Sequence, residues 1–108
     1  MYVVETFTLK PDKVMDFPCP KMFQALIKKR PDLFKELKSW AVYQHSLGTF
    51  GGMIEFSEFE SFEDYQKWMG KIMTDKEFAP ILGAFIDSII PGSYQMVMAD
   101  KLGSWASK

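Results

Sequence analysis

The chain has 108 residues, of which 47% are hydrophobic, 16% aromatic and 25% charged. One hydrophobic core is enough at this length, so we expect a single α+β domain over residues 1–108. Thirteen basic and fourteen acidic residues give a formal net charge of −1 with no long run of either sign, which argues against nucleic acid as a partner.

The start of the chain, MYVVETFTLK, has neither the basic n-region nor the long apolar core of a signal peptide. No apolar run is long enough to span a bilayer, so we expect a cytoplasmic protein without membrane contact. The single Cys19 has no CxxC motif or Cys/His companion that would make a zinc site. A small apolar residue packed between two prolines is the simpler interpretation of Cys19, and a reactive thiol is the alternative.

A strand opens the chain from Tyr2 to Leu9, since this stretch is rich in β-branched and aromatic residues and Pro11 closes it. Two prolines, Pro18 and Pro20, then exclude one uninterrupted helix, because each lacks an N–H donor and clashes with the preceding turn. We expect the amphipathic helix beyond them to lie on a sheet and to be interrupted at Pro31. Its apolar residues recur at helical spacing: Met22, Phe23, Leu26 and Ile27.

A hairpin follows, with strands over Ser39 to Leu47 and Phe50 to Ser57. They are joined by LGTFGG, whose glycines supply the backbone angles of tight turns. A capping box then predicts a helix from Ser61, with Asp64 three residues later. The apolar face of this helix carries Phe62, Tyr65, Met69 and Ile72.

A second cap signal, Thr74 with Glu77, precedes another helical pattern. Pro80 would lie deep inside a helix that began at Thr74, so a start near Ala79, with Pro80 in the first turn, is the alternative. After Pro91 and Gly92 stop the helix, SYQMVMADKL resumes an apolar strand pattern.

The order β-α-β-β-α-β predicts a ferredoxin-like α+β fold, in which a four-stranded antiparallel sheet has the strand order 4-1-3-2 and helices on one face. The other face then lacks a cover. A second copy of the chain packed against it would form a dimeric α+β barrel and enclose a pocket.

Strand alternation predicts which side chains share a face. If Tyr43 pairs with Glu55 and His45 with Met53, these four side chains lie on the open face. A charged Glu5 in a central strand is unfavourable under helices, so we expect it on the open face as well. The face under the helices then takes Val42, Ile54 and Phe56.

His45 is the only side chain whose ordinary pKa lies near neutrality, so it is the natural proton shuttle. Glu5 or Glu55 could orient its imidazole, which makes these three residues the candidate catalytic set. The competing interpretation is that His45 is a structural strand residue. The candidate substrate-binding residues are Tyr43, Met53, Trp68 and Phe7. Further aromatic and thioether side chains that could line an apolar pocket are Trp40, Tyr65, Tyr94, Met96 and Met98. Met69 and Met73 could also line it, but their helical spacing favours a place in the core.

A metal site is not predicted, because one histidine with scattered carboxylates falls short of the usual nitrogen and sulfur ligand sets. His45 is the only histidine that could ligate a haem, which keeps haem binding open as a variant. Otherwise we expect no cofactor.

Two stretches resemble a known family. MYVVETFTLKPDK looks like the opening strand of NIPSNAP-type proteins, and FESFEDYQKWMGKIMTDKEFAPIL resembles the helix that follows their third strand. NIPSNAP-type proteins fall in the dimeric α+β barrel superfamily with the antibiotic-biosynthesis monooxygenases, EthD-like proteins and chlorite-dismutase relatives. The chain departs from the NIPSNAP pattern at Glu5, where an arginine is usual.

The resemblance implies a homodimer formed through the sheet face, with a cavity between sheet and helices or inside the barrel. It is compatible with a cofactor-independent monooxygenase or proton-transfer enzyme acting on a small apolar or aromatic substrate. The alternative is a non-enzymatic ligand-binding or assembly protein of the NIPSNAP-like type. Fold analogy alone does not choose between them.

Overall fold

Four antiparallel strands form one sheet, and helices cover one of its faces. The structure is a computed structural model that describes residues 1–107. Within them the strands are β1 (Tyr2–Thr8), β2 (Leu37–Gln44), β3 (Gly52–Phe59) and β4 (Gln95–Ala99), and the α-helices are α1 (Cys19–Lys29), α2 (Phe62–Ile72) and α3 (Ala79–Ser88). The sheet order β2-β3-β1-β4 confirms the predicted ferredoxin-like α+β topology. None of the helices in this described part is long and apolar enough to cross a membrane.

The start of α2 follows the predicted capping signal. The Ser61 side chain accepts a hydrogen bond from the backbone N–H of Asp64 at 3.2 Å. This bond satisfies one of the N–H groups that a helix start leaves without a partner. The predicted N-cap is therefore confirmed.

The start of α3 resolves the open question about Pro80. The helix begins at Ala79 with Pro80 in its first turn, where a missing N–H costs nothing. Thr74 instead follows α2, which ends at Ile72, and its Oγ1 donates to the Gly70 carbonyl at 3.1 Å. Asp75 turns the chain between the two helices by accepting the backbone N–H of Glu77 at 2.8 Å.

The core lies between the sheet and the helices in two clusters. The larger contains ten buried side chains within residues 1–107: Val3, Phe23, Leu26, Leu33, Phe34, Phe59, Trp68, Ile72, Phe78 and Ile81. The smaller is formed by Phe7, Leu9 and Met53. Edge-to-face ring contacts, such as Phe23 with Phe34 at 5.3 Å between centroids, add to the burial of apolar area.

The predicted hairpin register is wrong by one residue. Tyr43 pairs with Ile54, and Gln44 with Met53. The connection is longer than predicted, because β2 ends at Gln44 and β3 begins only at Gly52. Gly48 and Gly51 take positive φ values of 120° and 77° in this turn.

The one-residue shift in register moves the β3 side chains to the opposite face from the one predicted, because successive side chains of a strand alternate between faces. Glu55 now lies with Val42 on the side of the helices, where both line a cavity. Ile54 and Phe56 join Tyr43 on the open face, where the Tyr43 and Phe56 rings lie 5.9 Å apart.

The expectation that Glu5 lies on the open face is also wrong. Val3 and Phe7, two residues either side of it on β1, are among the most buried side chains of the core. Alternation then directs Glu5 under the helices. Two strongly apolar neighbours therefore outweigh one charged residue in setting the face of this strand.

His45 lies just beyond β2, inside the turn. Its backbone N–H donates to the Gly52 carbonyl at 2.9 Å. The imidazole lies so close to Gly52 that a Cβ added there would come within 2.7 Å of the ring carbon Cε1. Only glycine fits beneath the ring without displacing it.

We expect Gly52→Ala to lower the free energy of unfolding by about 1–3 kcal/mol, the usual cost of overpacking. The loss should largely disappear in a His45→Ala background, because the colliding ring is then absent. Urea denaturation of the single and double variants measures this coupling. Gly70→Ala is the matched control, since nothing lies within 4 Å of a Cβ there. An equal loss for Gly52→Ala in both backgrounds would contradict the proposed collision.

Candidate functional site

A cavity of about 440 Å³ lies between the sheet and the helices. Its volume is within the range of about 300–1,000 Å³ that is typical of small-molecule sites. All four strand regions and all three helices of the described chain contribute to its walls, which are mostly apolar. Its aromatic lining residues are Phe7, Phe17, Phe23, Trp40, Tyr65, Trp68, Phe78, Phe85 and Tyr94.

Two carboxyl groups project into this cavity side by side. Glu5 on β1 is the direct cross-strand partner of Glu55 on β3. Side chains in this relation have Cβ atoms about 4.5–5.5 Å apart. The two glutamates form the centre of one row across the sheet: Val42, Glu55, Glu5 and Met96.

Each carboxyl group is held by a donor from a different element. The Trp40 indole N–H of β2 donates to Glu55 Oε2 at 2.7 Å. The Tyr94 hydroxyl, just before β4, donates to Glu5 Oε2. Hydrogen bonds of this kind favour the charged carboxylate and fix its orientation. The two donors thus hold both carboxyl groups toward the cavity.

Burial nevertheless raises the pKa of both glutamates. The pKa of Glu55 rises to about 7, chiefly through desolvation and then through the negative charge of Glu5, while the Trp40 hydrogen bond lowers it. Desolvation likewise raises the pKa of Glu5 above its ordinary value, and Tyr94 opposes the change. Two adjacent carboxyl groups do not both ionise easily, so near neutrality Glu55 is partly protonated.

The other titratable side chains of the cavity remain protonated near neutrality. Burial raises the pKa of Tyr65 and Tyr94, and the charge of Glu5 adds to both shifts. Burial also raises the pKa of Cys19 to about 11. Its thiol is buried and donates to the Ile81 carbonyl at 3.8 Å, which favours the simpler interpretation of a packed, unreactive residue.

Trp68 contributes a buried donor to the cavity wall. The residue is 7% exposed, and its indole N–H has no hydrogen-bond partner within residues 1–107. Buried N–H groups are normally paired, because leaving one without an acceptor costs free energy. The N–H group is thus left without an acceptor in the wall of the cavity, within the part of the chain that the structure describes.

The predicted site residues do not all meet in one place. Glu5, Glu55, Phe7 and Trp68 line the cavity. Tyr43 lies on the open face and is 58% exposed.

Two predicted residues are buried or packed elsewhere. Met53 packs in the smaller core cluster with Phe7. His45 packs over Gly52 at the turn and is not a lining residue. The chain brings the two glutamates together without His45, whose catalytic role stays a prediction.

No sequence pattern predicted that Trp40 and Tyr94 would donate hydrogen bonds to the two glutamates. Both residues were candidates for an apolar lining, and both line the cavity. Their hydrogen bonds to Glu55 and Glu5 span 15 and 89 residues of sequence. No local motif connects residues so far apart, so these donors emerge only with the fold.

Metal binding gains no support from this arrangement. In the part of the chain that the structure describes, no three His, Cys, Asp or Glu side chains are grouped so that they could hold a metal ion.

The sequence matches no protein-family model, and it matches none of the curated proteins. Solved structures with the same architecture do exist. One is an uncharacterised NIPSNAP domain protein from Burkholderia xenovorans, with a TM-score of 0.70 and 12% identity over 98% of this chain and 100% of that one. Another is a NIPSNAP family protein from Agrobacterium tumefaciens, with a TM-score of 0.64 and 13% identity over 94% and 96%. A third is an antibiotic biosynthesis monooxygenase, with a TM-score of 0.66 and 10% identity over 94% and 98%.

The chain has the fold of the NIPSNAP and antibiotic-biosynthesis-monooxygenase proteins. This confirms the resemblance drawn from the opening strand and the helix after the third strand. Identities of 10–13% establish the fold alone. The activity has to be argued from the cavity.

The raised pKa of Glu55 makes stability depend on pH. Its pKa is about 7 in the folded state against an ordinary value of 4.5, so between these values the folded chain binds more protons than the unfolded chain. The contribution is full below the ordinary value and is lost as the pH rises through about 7, a loss of about 3 kcal/mol in the free energy of unfolding.

We expect Glu55→Gln to flatten this dependence, because the neutral amide keeps an oxygen for the Trp40 donor and carries no charge. Urea denaturation at about pH 5 and about pH 8 measures the difference. Glu63→Gln, an exposed change on α2, is the matched control and should keep the wild-type dependence. A pH profile unchanged by Glu55→Gln would contradict the raised pKa of Glu55.

Proposed function

We propose that this protein binds a small, largely apolar molecule in the cavity and exchanges a proton with it through Glu55, as a cofactor-independent proton-transfer enzyme. The observation that carries the proposal is the Glu5–Glu55 carboxyl pair inside a mostly apolar cavity. A glutamate with an ordinary pKa is too weak a base to abstract such a proton at neutral pH. A pKa of about 7 matches a general base to its working pH.

The proposed step moves one proton and no other atom. Glu55 takes a proton from an acidic C–H or O–H group of the bound molecule, and the electron pair stays behind as a carbanion or an oxyanion. The Trp40 N–H keeps the carboxyl group of Glu55 in position throughout. If Glu55 exchanges this proton for one from solvent before reprotonating the same position, the result is hydrogen exchange, and reprotonation at another position gives an isomer.

Oxygenation is the second candidate, and a specific likeness favours it. One structure with this fold is an antibiotic biosynthesis monooxygenase. In such a reaction the anion formed at Glu55 would be attacked by O₂. A CH₂ group of the substrate would become a carbonyl and the second oxygen atom would leave as water, so the substrate itself supplies the electrons.

We further propose that two copies pair through the open face of the sheet. This face carries large apolar side chains, with Tyr43 and Val97 58% and 59% exposed. Exposed apolar patches of this kind commonly mark protein interfaces. The resemblance to dimeric α+β barrels supports the same arrangement.

Proton transfer is tested by hydrogen–deuterium exchange into a panel of aryl ketones, cyclic diketones and hydroquinones, followed by NMR with O₂ uptake recorded in parallel. We expect the exchange rate to rise with pH through about 7, as Glu55 loses its proton. Glu55→Gln should lower the rate by about 100-fold or more, the usual contribution of a general base. Glu63→Gln should leave it unchanged.

His45→Ala separates this proposal from the earlier candidate. Full exchange activity in that variant is expected, because His45 does not line the cavity. Loss of activity in His45→Ala together with retention in Glu55→Gln would overturn the proposed role of Glu55. A protein that binds the probes but exchanges none of them supports the non-enzymatic alternative.

Dimerisation is tested by size-exclusion chromatography with light scattering. We expect the wild type to be a dimer at micromolar concentration and Tyr43→Lys to raise the dissociation constant by about ten-fold or more, as for a central aromatic contact. Phe62→Lys is the control, since Phe62 is 45% exposed on α2. A monomeric wild type would refute the interface.

A further inference from the structure

The carboxyl pair in the cavity has no basic side chain beside it. None of the described residues that line the cavity is a lysine, an arginine or a histidine. The ion pairs of the described chain lie elsewhere, as between Arg30 and Glu77 at 2.8 Å and between Lys71 and Glu36 at 2.7 Å. Buried carboxylates are normally matched by a positive charge. Glu5 and Glu55 therefore lack the counter-charge that such groups usually have.

The walls around the pair suit an organic cation. The faces of indole and phenol rings attract ammonium groups, and four such side chains line the cavity: Trp40, Tyr65, Trp68 and Tyr94. The Trp68 ring lines the same cavity, and its buried indole N–H has no partner among residues 1–107.

We propose that the occupant of the cavity is a lipophilic amine, held as its ammonium ion by Glu5 and Glu55 with its hydrocarbon part against the aromatic and methionine walls. This inference rests on the proposed function, since it names the class of molecule that enters the same cavity. It adds the positive nitrogen, which an apolar substrate in general does not have.

Binding of an ammonium ion changes the protonation of the pair. Each ammonium N–H can donate to a carboxylate oxygen, which favours the ionised form of both glutamates. Protons that Glu55 holds near neutrality then leave for solvent. Glu55 is left as an ionised carboxylate, the form that the proposed proton abstraction requires.

The other groups facing the pair do not titrate in this range. Burial raises the pKa of Tyr65 on α2 and of Tyr94 beside β4, and raises the pKa of Cys19 on α1 to about 11. The lining residues from β2 and α3 carry no ionisable group. A pH dependence of binding between about 5 and 8 is therefore assigned to Glu5 and Glu55.

Titration calorimetry with three probes of equal chain length tests the inference: octylammonium chloride, octanol and octanoate. We expect octylammonium to bind about ten-fold or more tightly than octanol, the usual gain from hydrogen bonds to a charged group. Octanoate should bind most weakly, because its charge repels the pair. Titrations near pH 7 in buffers of different ionisation enthalpy should report net release of protons when octylammonium binds.

The Glu5→Gln/Glu55→Gln double variant should bind octylammonium no more tightly than octanol and release no proton. Glu63→Gln is the matched control and should behave as the wild type. Equal affinity of the wild type for octylammonium and octanol, without proton release, overturns the amine inference and leaves the apolar cavity site standing. Absence of binding by all three probes counts against the cavity as a ligand site, and so against the proposed function as well. The proton-release measurement uses the wild type alone, so it decides the matter even if the double variant does not fold.

Discussion

Two like-charged side chains placed opposite each other on the central strands are the constraint around which the rest of the cavity is arranged. Direct cross-strand pairs of the same charge destabilise a sheet, and burial under helices adds to that cost. Trp40 and Tyr94 offset part of it by donating hydrogen bonds to the two carboxyl groups. The raised pKa of Glu55 offsets more, because protonation of this carboxyl group removes one of the two charges.

The surrounding hydrophobic core offsets the free-energy cost of burying the two carboxyl groups side by side. Phe23, Phe34 and Trp68 form a connected group of aromatic rings on the side of the helices. Such large side chains contribute strongly through buried apolar area and through edge-to-face contact. A rigid aromatic wall on one side and hydrogen-bonded carboxyl groups on the other keep the cavity open between them.

Sequence patterns predicted the parts of this structure that depend on local chemistry. The Ser61 cap, the proline near the start of α3 and the strand order all follow from neighbours in the chain or from general topology rules. The hairpin register was not predictable in the same way. It depends on how many residues the turn between Gln44 and Gly52 takes up, and an error of one residue reverses every face assignment.

The candidate site was predicted only in part, because the assignment of side chains to sheet faces was wrong there too. Glu5 and Glu55 were identified as chemical groups, but their face depended on the buried neighbours Val3 and Phe7 and on donors distant in sequence. His45 was a candidate because it is the only histidine in the sequence. Its position over Gly52 depends on the turn, which composition does not describe.

The opposition of Glu5 and Glu55 also has an evolutionary consequence. Replacing either residue by a neutral one relieves repulsion and desolvation at once, so drift toward greater stability should remove the pair quickly wherever nothing selects for it. The two positions should accordingly be lost together in lineages that no longer use the cavity, and Trp40 and Tyr94 should then be free to vary. In lineages that keep both acids, those two donors should persist with them.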